Sequence, residues 1–277
     1  MGKKKIRSAM QNGKGVRAGR GLDRNQLIGS VAGTLHLLEI FAEADRELPL
    51  GAFVEWSGRP KASVHRMLAT LVNLGFLDQN PETAHYRQTL KLWRLGVPAL
   101  EGLDLINNAR PHLEALMRIA DETVHLASPD LASGDVIYVS KFESPRSIRV
   151  QTQIGRLVPS WCTATGRAIL AFNPAMAEEV LSRHLIAKTP YTETNPNKIR
   201  EILKQAAADG YVVAFRENNV EMGGIAAPVR DHNGHVIAAC GVAVPAFRMD
   251  NELVKRQIPH VIQAVRAISK TLGCSMA

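Results

Sequence analysis

The chain has 277 residues, 45% hydrophobic and 22% charged, an ordinary globular composition that excludes a chain-wide disordered or collagen-like polymer. Its length suits two domains or one large one, with a core that needs no covalent staples. The net charge is +8, and residues 1–95 hold 15 Lys and Arg against 8 Asp and Glu, so nearly all of the excess lies in the first third.

Residues 1–24 carry eight basic side chains against the single acid Asp23, together with five glycines and few apolar groups. Such a stretch cannot bury enough surface to fold alone, so residues 1–26 are expected to form a disordered basic arm. It serves either as a solubilising tail or as an arm that releases counterions from a phosphate backbone. Across 30–41, Val31, Leu35, Leu38 and Phe41 recur at helical spacing, with Leu37 and Ile40 beside them, and Ser30 can cap the start. Leu50, Phe53 and Val54 mark a second, short helix. Ser57-Gly58-Arg59-Pro60 breaks it, since Gly58 tolerates positive φ and Pro60 suits the start of the next helix.

A third helix is predicted over 61–74, with Val64, Met67, Leu68, Leu71 and Leu74 inward. Its opposite face presents Lys61, Ser63, His65, Arg66 and Thr70. Residues 76–79 and 85–90 flank a polar turn at 80–84 and read as a hairpin. Helix, short helix, glycine turn, helix with polar groups at its front, then hairpin is the order of a winged helix-turn-helix. In such a unit the N-terminal end of the third helix enters the major groove. Arg66 can pair with guanine or with phosphate; Ser63, Thr70 and Lys61 suit phosphate; His65 is either a base reader or a surface histidine; Arg87 on the wing suits phosphate or the minor groove.

Leucines at 92, 95, 100, 103 and 105, interrupted by Gly96-Val97-Pro98, predict a kinked or two-part linker helix over 91–110, and helical spacing continues through 110–124. The period then shifts to strands at 124–127, 135–142 and 147–151. Helices follow at 165–172, 175–184 and 197–209, strands at 211–216, 224–230 and 235–244, and a closing helix at 251–272. Asp231-His232-Asn233-Gly234 supplies a hairpin turn. The expected class is α+β: a winged helix-turn-helix over 27–90, the linker, and an α/β domain over 111–277 around a mainly antiparallel sheet.

Cys162, Cys240 and Cys274 form no CxxC pair and no cluster with zinc-ligand spacing, which argues against a disulfide framework or structural metal. No apolar run approaches the roughly 20 residues of a spanning helix, and no apolar core follows the basic N-terminus as in a secretory signal, so a cytoplasmic protein with no membrane contact is expected. There is no P-loop, G-x-G-x-x-G, H-E-x-x-H or G-x-S-x-G, so neither a cofactor nor catalysis is expected. Two alternatives are an enzyme or an RNA-binding protein with a basic nucleic-acid tether. The first lacks a catalytic constellation across 125–245; the second fits poorly with 5% aromatics and a helical reader.

The segment Lys61-Ala62-Ser63-Val64-His65-Arg66-Met67-Leu68-Ala69-Thr70-Leu71, then Gly75-Phe76 and His85-Tyr86-Arg87, resembles the DNA-binding domain of IclR-type bacterial transcriptional regulators. Leu50-Gly51 and Gln88-Thr89 depart from that family's pattern. The second half is similar to the family's GAF-like effector-binding domain at Ile154-Gly155-Arg156-Leu157-Val158-Pro159, Cys162-Thr163-Ala164-Thr165-Gly166-Arg167, Gly210-Tyr211, Glu217 and Gly223 to Val229. The resemblance implies a regulator that binds pseudo-palindromic double-stranded operator DNA as a homodimer or dimer of dimers, with half-sites about one helical turn apart or a multiple of it. It also implies a small-molecule pocket at Thr163, Ala164, Thr165, Glu217, Gly224, Gly241 and Ala243. Small residues on the strands suggest room for an aromatic or larger organic acid. Trp161, Phe215 and Met222 are candidates to line the pocket, and Arg149, Arg167 or Arg216 to hold a carboxylate.

Overall fold

The computed structural model describes residues 28–42, 47–101 and 104–275. The basic arm falls outside them. The chain divides into two compact units, at residues 1–102 and 103–277.

In the first unit, α1 (Gly29–Ala42), α2 (Leu50–Ser57) and α3 (Lys61–Asn73) precede a hairpin of β1 (Leu77–Gln79) and β2 (Tyr86–Gln88), and α4 (Leu90–Glu101) follows. The α1 helix buries Leu37, Ile40 and Phe41. Val31 and Leu35, expected inward by their spacing, face solvent instead, because the packed stripe runs through the 37–40–41 side of the helix. α2 ends where Gly58 takes φ 63° and donates its N–H to the Val54 carbonyl, a left-handed cap that a β-carbon would strain. In α3, Val64, Leu68 and Leu71 are buried, whereas Leu74, beyond its end, is exposed. Edge-on ring contacts of Phe53 with Phe41 at 5.1 Å and with Tyr86 at 5.9 Å join α1, α2 and the wing into one small core.

The hairpin pairs Asp78 with Arg87, and Asn80 orders its turn by accepting the N–H groups of Glu82 and Thr83. Leu48 exchanges two backbone hydrogen bonds with Tyr86, adding a pairing that alternation alone did not reveal. Thr89 ties the wing to the end of α3 by donating its hydroxyl to the Gly75 carbonyl at 2.6 Å. The backbone of α4 is helical through Gly96-Val97-Pro98, so the expected break at that tripeptide is absent. A second helix, α5 (Asp104–Ala120), starts after residues 102–103.

The second unit continues from α5 with β3 (Thr123–Pro129), β4 (Val136–Phe142), β5 (Leu157–Val158), α6 (Ala164–Leu170), α7 (Pro174–Leu181), α8 (Pro196–Asp209), β6 (Val212–Phe215), β7 (Met222–Arg230), β8 (Val236–Pro245) and α9 (Asn251–Thr271). All strand pairs are antiparallel, in the order β5-β4-β3-β8-β7-β6. Residues 147–151, expected as a strand, pair with nothing in the sheet; the short β5 takes the edge instead.

Strand alternation divides the core cleanly. Ile225, Ala227 and Val229 of β7 and Ala238, Cys240, Val242 and Val244 of β8 point toward α5 and α9. Ala226 and Ala239 point the other way, toward α6, α7 and α8. β3 and β8 are central, so both their faces are covered.

Candidate functional site

Two places in the molecule gather functional side chains. The first is the outward face of α3. Lys61, His65, Arg66 and Thr70 are exposed and Ser63 is half-buried, while the opposite stripe is fixed by burial of Val64 and Leu68. Lys61, His65 and Arg66 form no ion pair with another described residue. Pro60 at the N-cap offers no side-chain acceptor, so the first amides of α3 are left for water or an anion. Thr70 is already committed: its hydroxyl donates to the Arg66 carbonyl at 2.8 Å, so toward a phosphate it has no free proton in this rotamer. Arg87 is also engaged. It binds Asp78 at 2.5 Å and reaches Glu47 at 3.7 Å, and this guanidinium holds the Asp78 carboxyl below its usual range. Arg59, in the turn before α3, lays its guanidinium against Gly33 of α1, where a β-carbon would lie 2.6 Å from its Cζ.

The second place is a pocket between α6 and the sheet, with about 400 Å³ of empty space including its open mouth. Of the residues expected there, Thr163, Ala164, Thr165, Glu217, Met222, Gly224, Gly241 and Ala243 line it together. Trp161 and Phe215 are not among the lining residues. Trp161 is buried in the core beside α6. Phe215 alternates away from Ala214, which does line the pocket, and half of its ring remains in solvent.

The small strand residues do not simply open room. A β-carbon on Gly241 would lie 3.1 Å from the methyl of Thr165, and one on Gly224 would lie 3.5 Å from the β-carbon of Ala164. The glycines therefore let α6 sit close to the sheet, and the helix takes much of the space that a larger ligand was expected to use. Gly166 works the same way on the other side of the helix, where a β-carbon would come within 2.3 Å of the Ser160 backbone.

Glu217 and Arg167 form one unit. Arg167, 1% exposed, gives two parallel N–H groups to the Glu217 carboxylate at 2.5 and 2.6 Å and a third to the Trp161 carbonyl. Glu217 also accepts the backbone N–H of Glu193, and the hydroxyls of Thr189 and Thr192 donate to the carbonyls of Arg216 and Glu217. This network fixes the wall formed by residues 216–219 and leaves each charge of the ion pair neutralised by the other. Arg149 is held by Glu143 and is not in the lining. Of the three arginines considered, Arg216 alone lines the pocket without a carboxylate partner among the described residues. It sits at φ 61°, with its guanidinium 4.9 Å from the Phe215 ring centroid and 5.8 Å from that of Tyr191, and its Nε is buried without a hydrogen bond.

Sequence patterning missed His125 and Tyr138, which close the pocket at the central strands. The available signal was a lone polar ring in the apolar run of β3, at a position that alternates inward with Ala127. The two rings pack with centroids 4.4 Å apart. Burial holds the imidazole neutral, down to about 4, and pushes the Tyr138 phenol up to about 12, against the smaller opposing effect of the Thr165 hydroxyl. Cys162, also in the lining, is a protonated thiol, its pKa pushed up to about 12 by burial, and thus a poor nucleophile. Among the described residues no group of three or more His, Cys, Asp or Glu side chains is placed to hold a metal ion, and no helix is long and apolar enough to cross a membrane.

Comparison with known proteins covers both units. Residues 30–81 match the IclR helix-turn-helix domain, and residues 97–270 match the family described as bacterial transcriptional regulator IclR C-terminal. The chain is 30% identical over 248 residues to the HTH-type transcriptional regulator KdgR of Escherichia coli K12, covering 89% of this chain and 93% of that one. Among solved structures, it superposes on IclR of Thermotoga maritima with TM-score 0.69 at 25% identity, over 89% of this chain and 100% of that chain. An IclR homologue from Microbacterium hydrocarbonoxydans, solved in complex with 4-hydroxybenzoate, gives TM-score 0.75 at 25% identity, over 88% of this chain and 98% of that chain. A winged helix-turn-helix joined to an antiparallel α/β domain, with family matches along both, makes this chain a member of the IclR family of DNA-binding transcriptional regulators.

Proposed function

We propose that this regulator binds its operator through α3 and the wing, and that an aromatic monocarboxylic acid held in the pocket under α6 changes operator affinity. The pocket carries the reading. Its strongest charges are spent on each other in the Arg167–Glu217 pair, which leaves Arg216 as the cation available to a single carboxylate. The rings of His125 and Tyr138, tilted 59° to each other with centroids 4.4 Å apart, line the pocket at the central strands and offer an aromatic ligand surface to pack on. The similarity to a homologue solved with 4-hydroxybenzoate supports the same ligand class.

On the DNA side, Lys61, His65 and Arg66 project from the front of α3, Ser63 sits beside them, and Arg87 lies on the wing within reach of the backbone once it exchanges Asp78 for a phosphate. The regulator acts as a homodimer or a pair of dimers. Val31 and Leu35 on α1, and Leu90, Trp93 and Leu95 on α4, are exposed apolar residues that a second copy of this chain would cover.

Fluorescence anisotropy with the regulator's own upstream DNA, repeated across salt concentrations and against duplex RNA, tests the first half of the reading; preference for RNA would overturn it. Calorimetric titration with 4-hydroxybenzoate, benzoate and pyruvate tests the second. Binding of pyruvate without binding of either aromatic acid would overturn the ligand class.

A further inference from the structure

Three residues of the pocket lining carry a buried polar atom with no hydrogen-bond partner, His125 at Nδ1, Thr165 at Oγ1 and Arg216 at Nε, and of these His125 is the ring on a central strand. Buried polar atoms in a folded protein nearly always have a partner, and an unpaired one marks a cost the fold carries for some reason. His125 is 5% exposed and lines the pocket, yet its Nδ1 is buried with no partner and its ring makes no hydrogen bond to any described residue. Its neighbours do not supply one. Tyr138 packs its ring against the imidazole at a 59° tilt and shares no hydrogen bond with it, and the residue opposite on β8 is Gly241, which has no side chain to offer.

The charge at this end of the pocket is as informative as its unpaired atoms. His125, Tyr138 and Thr165 are neutral groups, and no lysine or arginine lines that end. The lining arginine, Arg216, lies past the end of β6, three strands away across the β6-β7-β8-β3 order, or about 14 Å at the usual spacing between strands. A ligand whose carboxylate meets Arg216 therefore presents its opposite end to uncharged hydrogen-bonding groups. A second carboxylate there would be buried with no cation in the lining to pair with it, since Arg156 acts on Tyr138 from outside the pocket, and such burial is costly. An uncharged hydroxyl both donates and accepts, so it satisfies the imidazole in either tautomer.

We propose that His125 is the specificity-determining residue of the pocket: it reads an uncharged hydroxyl on the ring of an aromatic monocarboxylate, at the end remote from the acid group. This rests on the aromatic-acid reading above and refines it from a class to a substitution pattern.

Calorimetric titration of the full chain with benzoate, 4-hydroxybenzoate and terephthalate, in the wild type and in His125→Phe and His125→Gln, tests it. The wild type is expected to bind 4-hydroxybenzoate about tenfold more tightly than benzoate, as a neutral hydrogen bond to a buried group provides. Terephthalate, which replaces the hydroxyl with a second charge, is expected to bind more weakly than benzoate. His125→Phe should keep benzoate within about threefold and abolish the preference for the hydroxylated acid, while His125→Gln, which still hydrogen-bonds, should retain part of it. If His125→Phe binds neither acid, retained preference in His125→Gln supports the assignment and lost preference overturns it. Equal binding of the two monoacids by the wild type, terephthalate as tight as 4-hydroxybenzoate, or an undiminished preference in His125→Phe overturns the role of His125 alone. Failure of the wild type to bind any of the three overturns the aromatic-acid reading, and this assignment with it.

Discussion

On the outward face of α3, Lys61, His65 and Arg66 stand in solvent with no ionic partner among the described residues, whereas beside the pocket Arg167 is buried and its charge is paired with Glu217, with a further N–H given to the Trp161 carbonyl. The same residue type thus serves two ends. An exposed arginine contributes little to the fold and is available to a ligand; a buried one must be paired, and its partner is then lost to ligand binding. The reader keeps its charges free because DNA supplies the counter-charge. The pocket neutralises its own charges first, so that discrimination falls to the lining residues with unpaired buried atoms, Arg216, Thr165 and His125.

The most direct way to break this contrast is to remove one half of the buried pair. Glu217→Gln leaves the Arg167 charge uncompensated and should cost about 3–5 kcal/mol of stability, read by urea denaturation. Arg66→Ala in the same assay should change stability by less than about 0.5 kcal/mol. If both variants unfold alike, the distinction between free and committed arginines fails.

Acid offers a second test. His125 is held neutral in the fold, down to about 4, while the unfolded chain takes up that proton near 6.5. The unfolded state therefore binds the extra proton between these values, and stability should fall as pH drops from 6.5 to 4, by roughly 3 kcal/mol from this group. Denaturation at stepped pH should show a shallower slope in His125→Phe; an identical slope would assign the loss to other groups.

At the reader, Arg66→Ala should weaken specific operator binding by about 1–3 kcal/mol at fixed salt, with the fold intact. The smallest effect is expected at the wing. The Arg87 charge is already shared with Asp78 and Glu47 in solvent, so Arg87→Ala should weaken operator binding less than Arg66→Ala does and leave the urea midpoint nearly unchanged. A loss larger than that of Arg66→Ala would mean that the wing, not α3, is the main contact.

The two regions also differ in how far they could be read from residues alone. On α3, the 3.6-residue period places Val64, Leu68 and Leu71 on one side, and Lys61, His65 and Arg66 are then outward with no further information. In α1, apolar residues surround most of the circumference, so spacing could not choose between the side with Val31 and Leu35 and the side with Leu37 and Ile40; contact with Phe53 decided it. The pocket draws on β3, β4, α6, β6, β7, β8 and the residues after β6; family likeness located seven of its lining residues, and Met222 was a candidate besides. It could not show that Glu217 is spent on Arg167, fifty residues earlier in the chain, nor that Phe215 lies on the other side of the sheet from Ala214.

From its sequence alone this chain carried the order of its elements, the concentration of charge in its first third, and the winged reader, because each depends on composition or on contacts a few residues apart. Which arginine is free and which is paired, how closely α6 descends on Gly224 and Gly241, and why a lone histidine on β3 faces an opening were decided only in three dimensions. Burial and hydrogen-bond partnership belong to the whole packed chain, and no local spacing encodes them.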